Sequence, residues 1–567
     1  MVASLLSLCL LMTAPSTPDF IRVAGDGFTF VTASGERYLP MGAFYLDERH
    51  GEIDPLNWWG HFDEAHVRAD FKRAAALGCN LLRVRIDPAV DGAEVFSEED
   101  FEHCDVLLDA AQRNGLRLYL GLHLPGRFKQ DPRYQEAWVS AYRRAGERYR
   151  NHPAVFCWEL DAEATVLVGY PGDRERWRAW LEQRYPDEAA NAHAWGLEVR
   201  PGWRDAVWDR FTHALHHHAG RDEVRDVEPS LWYLDALNDE DNACLYDWQC
   251  FREHLYTVKI RPLAEAVRAA DPNHLVTVDL ILWAFPFVRN PGPAGWGGPY
   301  GYAGIDLRAV GELVDFFGLH TYPQYIPPFT SEWYENLTKD PAIFDRQLRY
   351  IETLCRYVRV ASGKPVLHTE TGWHGGGGDY YGNSEADQLR WNTAIIDATK
   401  DCALGWVNWT LRDVPTHEGL TAWGGMLGPA IRTRPDTDNE NPLSDYLYAG
   451  DLPPDQANRS KAWGEAFRGV VDRMHADMAL RYVPGTPVAL PRRFTYTAPL
   501  RALDAAFQDC IADDLFPADI VLEDFDTTAP ETEPQRRGAA IIERARQAAT
   551  PSAPVKAGTE KLLGVTP

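Results

Sequence analysis

The sequence predicts an α/β chain: a closed (β/α)8 barrel of the TIM type, with a helical insertion after strand 4 and a C-terminal extension. Three observations carry that prediction. Between about residue 38 and residue 410, short apolar runs alternate with amphipathic helical stretches, the pattern of repeated βα units around a parallel sheet. Eight such runs can be counted. The chain has 567 residues, 45% of them hydrophobic and 25% charged, so a large core is feasible and neither a wholly disordered nor a fibrous chain fits.

Taken in order, residues 1–18 read as an export signal: Ala3 to Met12 is apolar, and the small or polar Thr13, Ala14 and Ser16 follow. Because Arg22 is the first basic residue, the usual basic start is missing. A secreted or periplasmic location therefore stands against a cytoplasmic one with a frayed apolar terminus. Residues 19–485 form the barrel. Its strands are expected near Leu39 to Tyr45, Asn80 to Ile86, Arg117 to Leu122, Ala154 to Leu160, Leu275 to Leu280, Val314 to Leu319, Pro365 to Thr369 and Leu404 to Trp409. Among the helices, Ser97 to Asp100 and Ser384 to Asp387 read as capping boxes, and Gly78 ends a helix beginning near Asp63.

The connection from Leu160 to Leu275 is too long for one helix. Asp173 to Tyr185 and Asp205 to His218 look helical, Cys244 to Ala270 reads as the ordinary barrel helix, and the insertion occupies about 165–240. A further helix is expected near Arg459 to Arg481. Residues 486–567 form the extension, with one helical patch at Leu500 to Phe516 and a Pro-, Thr- and Glu-rich stretch, Asp526 to Pro534, expected to be mobile.

Charge and composition narrow the function. Lys+Arg 57 against Asp+Glu 83 gives −26, a field that repels nucleic-acid phosphates and anionic lipid. No apolar run reaches the roughly 18 residues of a membrane span. The nine cysteines show no CxxC pairing, so neither a zinc ribbon nor a disulfide scaffold is indicated. His213 and His217 share a helical face, with His216 and His218 beside them, but no third spaced ligand is evident, and the group reads as a solvated helix rather than a metal site. Gly375 to Gly378 lacks the Lys-Ser/Thr of a phosphate loop and reads as a flexible loop at the barrel mouth.

In a βα barrel the catalytic groups project from the C-terminal ends of strands. The fourth run, AVFCWELDAE, ends with Glu163, and the seventh, KPVLHTETGW, carries Glu370. Strands 4 and 7 face each other across the mouth. Hydrolysis of a glycosidic bond with retention needs one carboxyl to protonate the leaving oxygen and one carboxylate to attack the anomeric carbon, about 5 Å apart. A single acidic residue ending a strand is more often merely solvated. The pair at these two positions points to catalysis.

Those residues resemble a family: clan A of the glycoside hydrolases, the retaining (β/α)8 enzymes that include families 5 and 42. In that clan the acid/base follows strand 4 in a Trp-x-x-x-Asn-Glu pattern and the nucleophile ends strand 7. Trp158 to Glu163 is similar, except that Ala162 stands at the Asn position, and Glu370 in Thr-Glu-Thr-Gly matches the nucleophile. The Asn usually bonds the sugar hydroxyl beside the anomeric centre, so Ala162 bears on substrate preference and turnover. Asp161 is a substitute, although strand alternation points it elsewhere.

The same resemblance implies that Arg83, with Arg85 as the alternative, is the arginine beside the nucleophile. It implies that His320 and Tyr322 end strand 6 where an aromatic or His contacts the nucleophile, and that Trp409 stacks under the sugar. His123 ends strand 3 and joins the substrate-binding candidates. The insertion, with WRAWLEQRYPDE, HAWG and DWQCFREHL, looks like the family 42 arrangement, while the strand 4 and strand 7 wording is closer to family 5. Trp58, Trp59, Trp283, Trp296, Trp333, Trp373 and Trp423 lie in or beside expected loops, where rings stack on sugars or pack in the core.

The resulting expectation is a retaining β-glycoside hydrolase acting on an oligosaccharide or polysaccharide, with Glu163 and Glu370 catalytic and no metal or cofactor. A carbohydrate-binding pseudoenzyme and a transglycosylase are the alternatives. The sugar, the exo or endo mode and the oligomeric state are not legible in the sequence.

Overall fold

In a computed structural model the apolar runs pair side by side and close on themselves. It describes residues 19–47, 58–86, 90–91, 94–122, 130–199, 201–205, 207–209, 212, 243–281, 304–322, 340–373, 375, 384–413, 424–428, 459–477, 488–491, 520–523, 525–526 and 528–549. The barrel strands are β1 Met41–Tyr45, β2 Leu81–Ile86, β3 Arg117–Leu122, β4 Val155–Glu159, β5 Leu275–Ile281, β6 Phe316–Thr321, β7 Val366–Thr371 and β8 Trp406–Asn408. They run parallel in chain order, and β8 returns to β1 with Trp406 opposite Met41 and Asn408 opposite Ala43. Helices cover the outer face of such a sheet, so strands are buried on both sides and read as near-continuous apolar runs. β5, LVTVDLI, is buried along its whole length.

The helices between strands are punctuated as expected. In α1, Glu64–Leu77, Asp63 caps the start and Gly78 ends it at φ 104°, a left-handed conformation that glycine adopts without strain. Capping boxes open α2, Glu98–Arg113, at Ser97 and Asp100, and the helix Glu385–Thr399 at Ser384 and Asp387. Asp131 caps α3, Pro132–Tyr149. After β4 come α4, Asp173–Arg184, α5, Glu188–Ala194, and the long α6, Ala243–Ala270. Further on are α7, Leu307–Gly311, α8, Pro341–Ser362, α9, Glu385–Thr399, α10, Ala462–Ala476, and α11, Glu533–Ala549. An aromatic cluster centred on Trp177, with Trp195, Trp248 and Phe251 around it, ties α4 and the following turn to α6.

Several details differ from the sequence reading. β4 ends at Glu159 and β8 at Asn408, so Glu163 and Trp409 lie beyond their strands. The last helix begins inside the stretch expected to be mobile, where Asp526 accepts from Thr528 and Thr532 accepts from the Gln535 N–H, and a parallel pair, Val488–Pro491 with Ile520–Glu523, precedes it. The patch Leu500 to Phe516, the export segment and most of Asp205 to His218 lie outside the described residues. Among the described residues no helix is long and apolar enough to cross a membrane.

The barrel interior is layered. At the bottom, Phe30 from an N-terminal hairpin packs edge-on to Phe156 and Phe316 at 5.5 and 5.3 Å. Above it the interior turns polar, and this polar layer carries the site.

Candidate active site

Charge enters an apolar barrel here because four carboxylates surround one guanidinium and one imidazole. Arg83 on β2 is buried. Its Nη2 and Nε reach Glu159 on β4 at 2.7 and 3.0 Å, Nη2 lies 3.3 Å from Asp279 on β5, and Nη1 pairs with Glu370 on β7. The aromatic faces of Phe44 and Tyr119 lie 5.0 and 5.6 Å from the guanidinium carbon. A buried cation is tolerable only with such partners. Burial works against the charge on Arg83, but Glu159, Glu370 and Asp279 outweigh it and raise its pKa well above the usual value.

Two backbone irregularities bring the predicted carboxylates to the mouth. Along β6 and β7, Leu319 pairs with His368 but His320 pairs with Glu370, so Thr369 is an extra residue. That bulge reverses the alternation. Glu370 thereby faces inward, although a regular strand would turn it to the helices. After β4 the Asp161 carbonyl accepts from the Asp279 N–H at 2.9 Å, and the Ala164 N–H donates to the Asp279 carbonyl at 2.8 Å. Ala162 and Glu163 are looped out between those two bonds. Glu163 has φ 51°, a left-handed conformation costing a non-glycine residue about 1 kcal/mol or more, and this kind of strain concentrates at functional sites.

His320, the buried end of β6, joins the two carboxylates. Its Nδ1 lies 3.2 Å from Glu163 Oε1 and 3.3 Å from Glu370 Oε2, and its Nε2 lies 3.3 Å from Asp279 Oδ2. The Tyr322 hydroxyl donates to Glu370 Oε2 at 2.8 Å. Burial lowers the His320 pKa, but the Glu370 charge and the bonds to Asp279 and Glu163 raise it to about 10. The surrounding carboxylates thus favour the imidazolium over the neutral ring. Burial and the Glu370 charge push Tyr322 well above the usual phenol range, so it remains a donor.

Glu163, His320 and Glu370 offer atoms within 4.8 Å of one another, a spacing that by itself also suits a metal ion. The same spacing suits a shared hydrogen bond from His320 Nδ1 to the two carboxylates.

The structure thus gathers Glu163, Glu370, Arg83, His320 and Tyr322. Of the two arginines, Arg83 is the one on Glu370. Trp409 is half-buried beside Phe44, with ring centroids 4.5 Å apart, and its peptide bond to Thr410 is cis. Ala162 is half-buried next to Glu163. Asp161 points away to α6, where its Oδ2 accepts from the Tyr256 hydroxyl at 3.1 Å, so it does not replace the missing Asn. Trp58, Trp59 and Trp373 are buried packing residues, and Trp59 donates to Asp100 at 2.5 Å. His123, His213, His216, His217 and His218, Gly376 to Gly378, and Trp283, Trp296, Trp333 and Trp423 lie outside the described residues.

The sequence reading missed Glu159, Asp279 and Tyr119, the polar layer beneath the mouth. Their signal was present: a lone acid in each of the apolar runs VFCWEL and LVTVDLI. Small residues mark the same places. A Cβ on Gly121 would stand 2.7 Å from Glu159 Oε2, and one on Gly318 would stand 2.0 Å from Asp279 Oδ1.

Against this geometry, residues 102–208, from α2 through β4 to the insertion, match the family model Glyco_hydro_42, Beta-galactosidase. Among solved structures, a variant of GH5_18 from Streptomyces cattleya in complex with Manb1-4GlcNAc is similar at TM-score 0.52 and 15% identity, covering 89% of this chain and 97% of that one. The beta-galactosidase from the psychrophilic Marinomonas ef1 gives TM-score 0.50 and 15% identity over 87% and 70%. A catalytic mutant of Gan42B, a GH42 beta-galactosidase from G. stearothermophilus, gives 0.51 and 13% over 86% and 65%. This chain shares the closed barrel fold with these structures. No curated protein matches the sequence. The family-model match falls on the segment whose insertion residues resemble the family 42 arrangement, and the likeness to the solved structures is one of fold.

Proposed function

We propose that the chain is a retaining β-glycoside hydrolase with Glu370 as nucleophile and Glu163 as general acid/base. The observation that carries this is the spacing: one carboxylate oxygen of each lies within 4.8 Å of the other. Retaining enzymes hold their two carboxyls roughly 5–5.5 Å apart, whereas inverting ones leave about 6.5–9.5 Å for a water. The environments of the two carboxyls differ. The Glu370 side chain is 9% exposed and meets Arg83, Tyr322 and His320, while the Glu163 side chain is 46% exposed with His320 as its neighbour.

In the first step a Glu370 oxygen forms an ester bond to the anomeric carbon. The C–O bond to the leaving group breaks, and that oxygen takes the proton from Glu163. In the second step water attacks the same carbon, gives its proton to Glu163 and displaces Glu370 as a carboxylate. Arg83 and Tyr322 stay on Glu370 throughout, so they stabilise the departing carboxylate without reorganising. The substrate class is a β-linked sugar, and β-galactosides and β-mannosides head the candidates because similar structures include beta-galactosidases and a Manb1-4GlcNAc complex.

The test is turnover of aryl β-galactoside, β-glucoside and β-mannoside by wild type, Glu370→Gln and Glu163→Ala. Glu370→Gln should abolish turnover of activated substrates. Glu163→Ala should spare good leaving groups more than poor ones and be partly rescued by azide. Turnover by Glu370→Gln within a few fold of wild type excludes Glu370 as nucleophile.

A further inference from the structure

Asp279 is a wholly buried carboxylate and the one charged residue of β5. The Tyr119 hydroxyl donates to its Oδ1, and Arg83 Nη2 and His320 Nε2 each lie 3.3 Å from its Oδ2. β6 has a glycine, Gly318, at the point nearest this side chain, where any Cβ would collide with it. Burying an ionised carboxylate costs several kcal/mol unless donors and cations surround it. Here they do, and the donor that leads toward the mouth is His320.

Both ring nitrogens of His320 face carboxylate oxygens: Nε2 faces Asp279, and Nδ1 faces Glu163 and Glu370. An ionised carboxylate only accepts, so each nitrogen is satisfied only by carrying hydrogen. We propose that Asp279 is a positioning residue: by accepting from Nε2 it orients the ring and keeps it doubly protonated. One Nδ1–H is then shared between Glu163 and Glu370.

This rests on the catalytic roles of the two glutamates under the proposed function, and it adds a division of labour between the steps. Before attack, the Nδ1–H is a donor to the nucleophile Glu370. Once Glu370 is esterified its charge is gone, and Glu163, which has just given up its proton, becomes the anionic acceptor. The same N–H therefore steadies Glu163 as the base for the incoming water. The charged and titratable groups facing this ring are Asp279 from β5, Glu163 from the loop after β4, and Glu370 from β7 with Tyr322 bonded to it. Arg83 from β2 and Tyr119 from β3 lie behind Asp279.

The experiment uses the full-length protein with 15N-labelled histidine and compares wild type with Asp279→Asn, assigning His320 by the signals lost in His320→Gln. Wild type should show both His320 nitrogens protonated from pH 5 to 9, whereas the ring in Asp279→Asn should titrate within that range. In kinetics on an aryl glycoside, Asp279→Asn should lower kcat at least tenfold with a smaller change in KM, and move the alkaline limb of kcat/KM to lower pH by a unit or more. Tyr119→Phe, which leaves the Asp279 charge in place, should keep the imidazolium. A neutral His320 in wild type at pH 7 overturns the proposal even if the variant does not fold, and so does an Asp279→Asn spectrum or pH profile like wild type. Absence of all glycoside turnover by wild type would instead defeat the parent reading, and the spectra would still decide the Asp279–His320 linkage.

Discussion

Removing the guanidinium at the centre of the barrel, Arg83→Met, fills most of the stem volume but strips the charge from between Glu159, Asp279 and Glu370, which are 2%, 0% and 7% exposed. Breaking a buried ion pair by deleting one partner costs about 3–5 kcal/mol, because the partner is left charged and unpaired. The cost should depend on pH in a fixed direction. Burial pushes the Asp279 carboxyl up, but Arg83, His320 and Tyr119 outweigh it and hold it below the usual value. A carboxyl depressed in the folded state adds stability above its unfolded pKa, about 3.9, and loses it as pH falls through the folded value. Without Arg83 that contribution disappears at neutral pH, and a carboxyl freed to rise protonates in the native state first. The deficit against wild type should therefore be largest near pH 7 and shrink toward pH 4. Urea unfolding at both pH values measures it. A deficit under about 1 kcal/mol at pH 7, or one equal at the two pH values, refutes the buried-charge account of this layer.

Three further outcomes are expected. Tyr322→Phe removes the 2.8 Å bond to Glu370 Oε2; a bond to a charged group is worth about 1.5–3 kcal/mol, so kcat on an activated aryl glycoside should fall about 10- to 150-fold. KM should fall with it, because the glycosyl-enzyme accumulates, and an unchanged kcat speaks against a role in departure of Glu370. Gly318→Ala forces a methyl against Asp279 and should cost about 1–3 kcal/mol in urea unfolding, whereas an unmoved midpoint would mean the strands yield freely there. Ala162→Asn should raise kcat several-fold more than it alters KM on a shared substrate, since a bond to the neighbouring hydroxyl strengthens at the transition state. A slower Asn variant of an active wild type would show that another group already makes the contact, and the pseudoenzyme alternative would fall with it.

The barrel was legible because each strand is an apolar run and each helix boundary carries local chemistry. Asp63 with Gly78, and the two capping boxes, set helix ends that the structure repeats residue for residue. Glu163 and Glu370 were legible as residue types near strand ends. How they reach the mouth was not. Simple alternation sends Glu370 to the helix side and gives Glu163 no reason to project, and both depend on extra residues whose placement is fixed only by the neighbouring strands β6 and β5. The lower polar layer was overlooked for a related reason. Glu159 and Asp279 each look like an isolated acid in a strand, and only closure of the barrel brings both to Arg83. Of the two readings open for the tryptophans beside loops, core packing holds for Trp58, Trp59 and Trp373.

Double displacement through Glu370 is tested most directly by the anomer released first. Proton NMR of an early reaction mixture, taken on whichever aryl β-glycoside is turned over and before mutarotation, should show the β-anomer forming first, with the α-anomer growing only as the solution equilibrates. Initial release of the α-anomer would mean a single displacement by water, and would contradict both the nucleophilic role of Glu370 and the retaining mechanism inferred from carboxylate oxygens lying within 4.8 Å of each other.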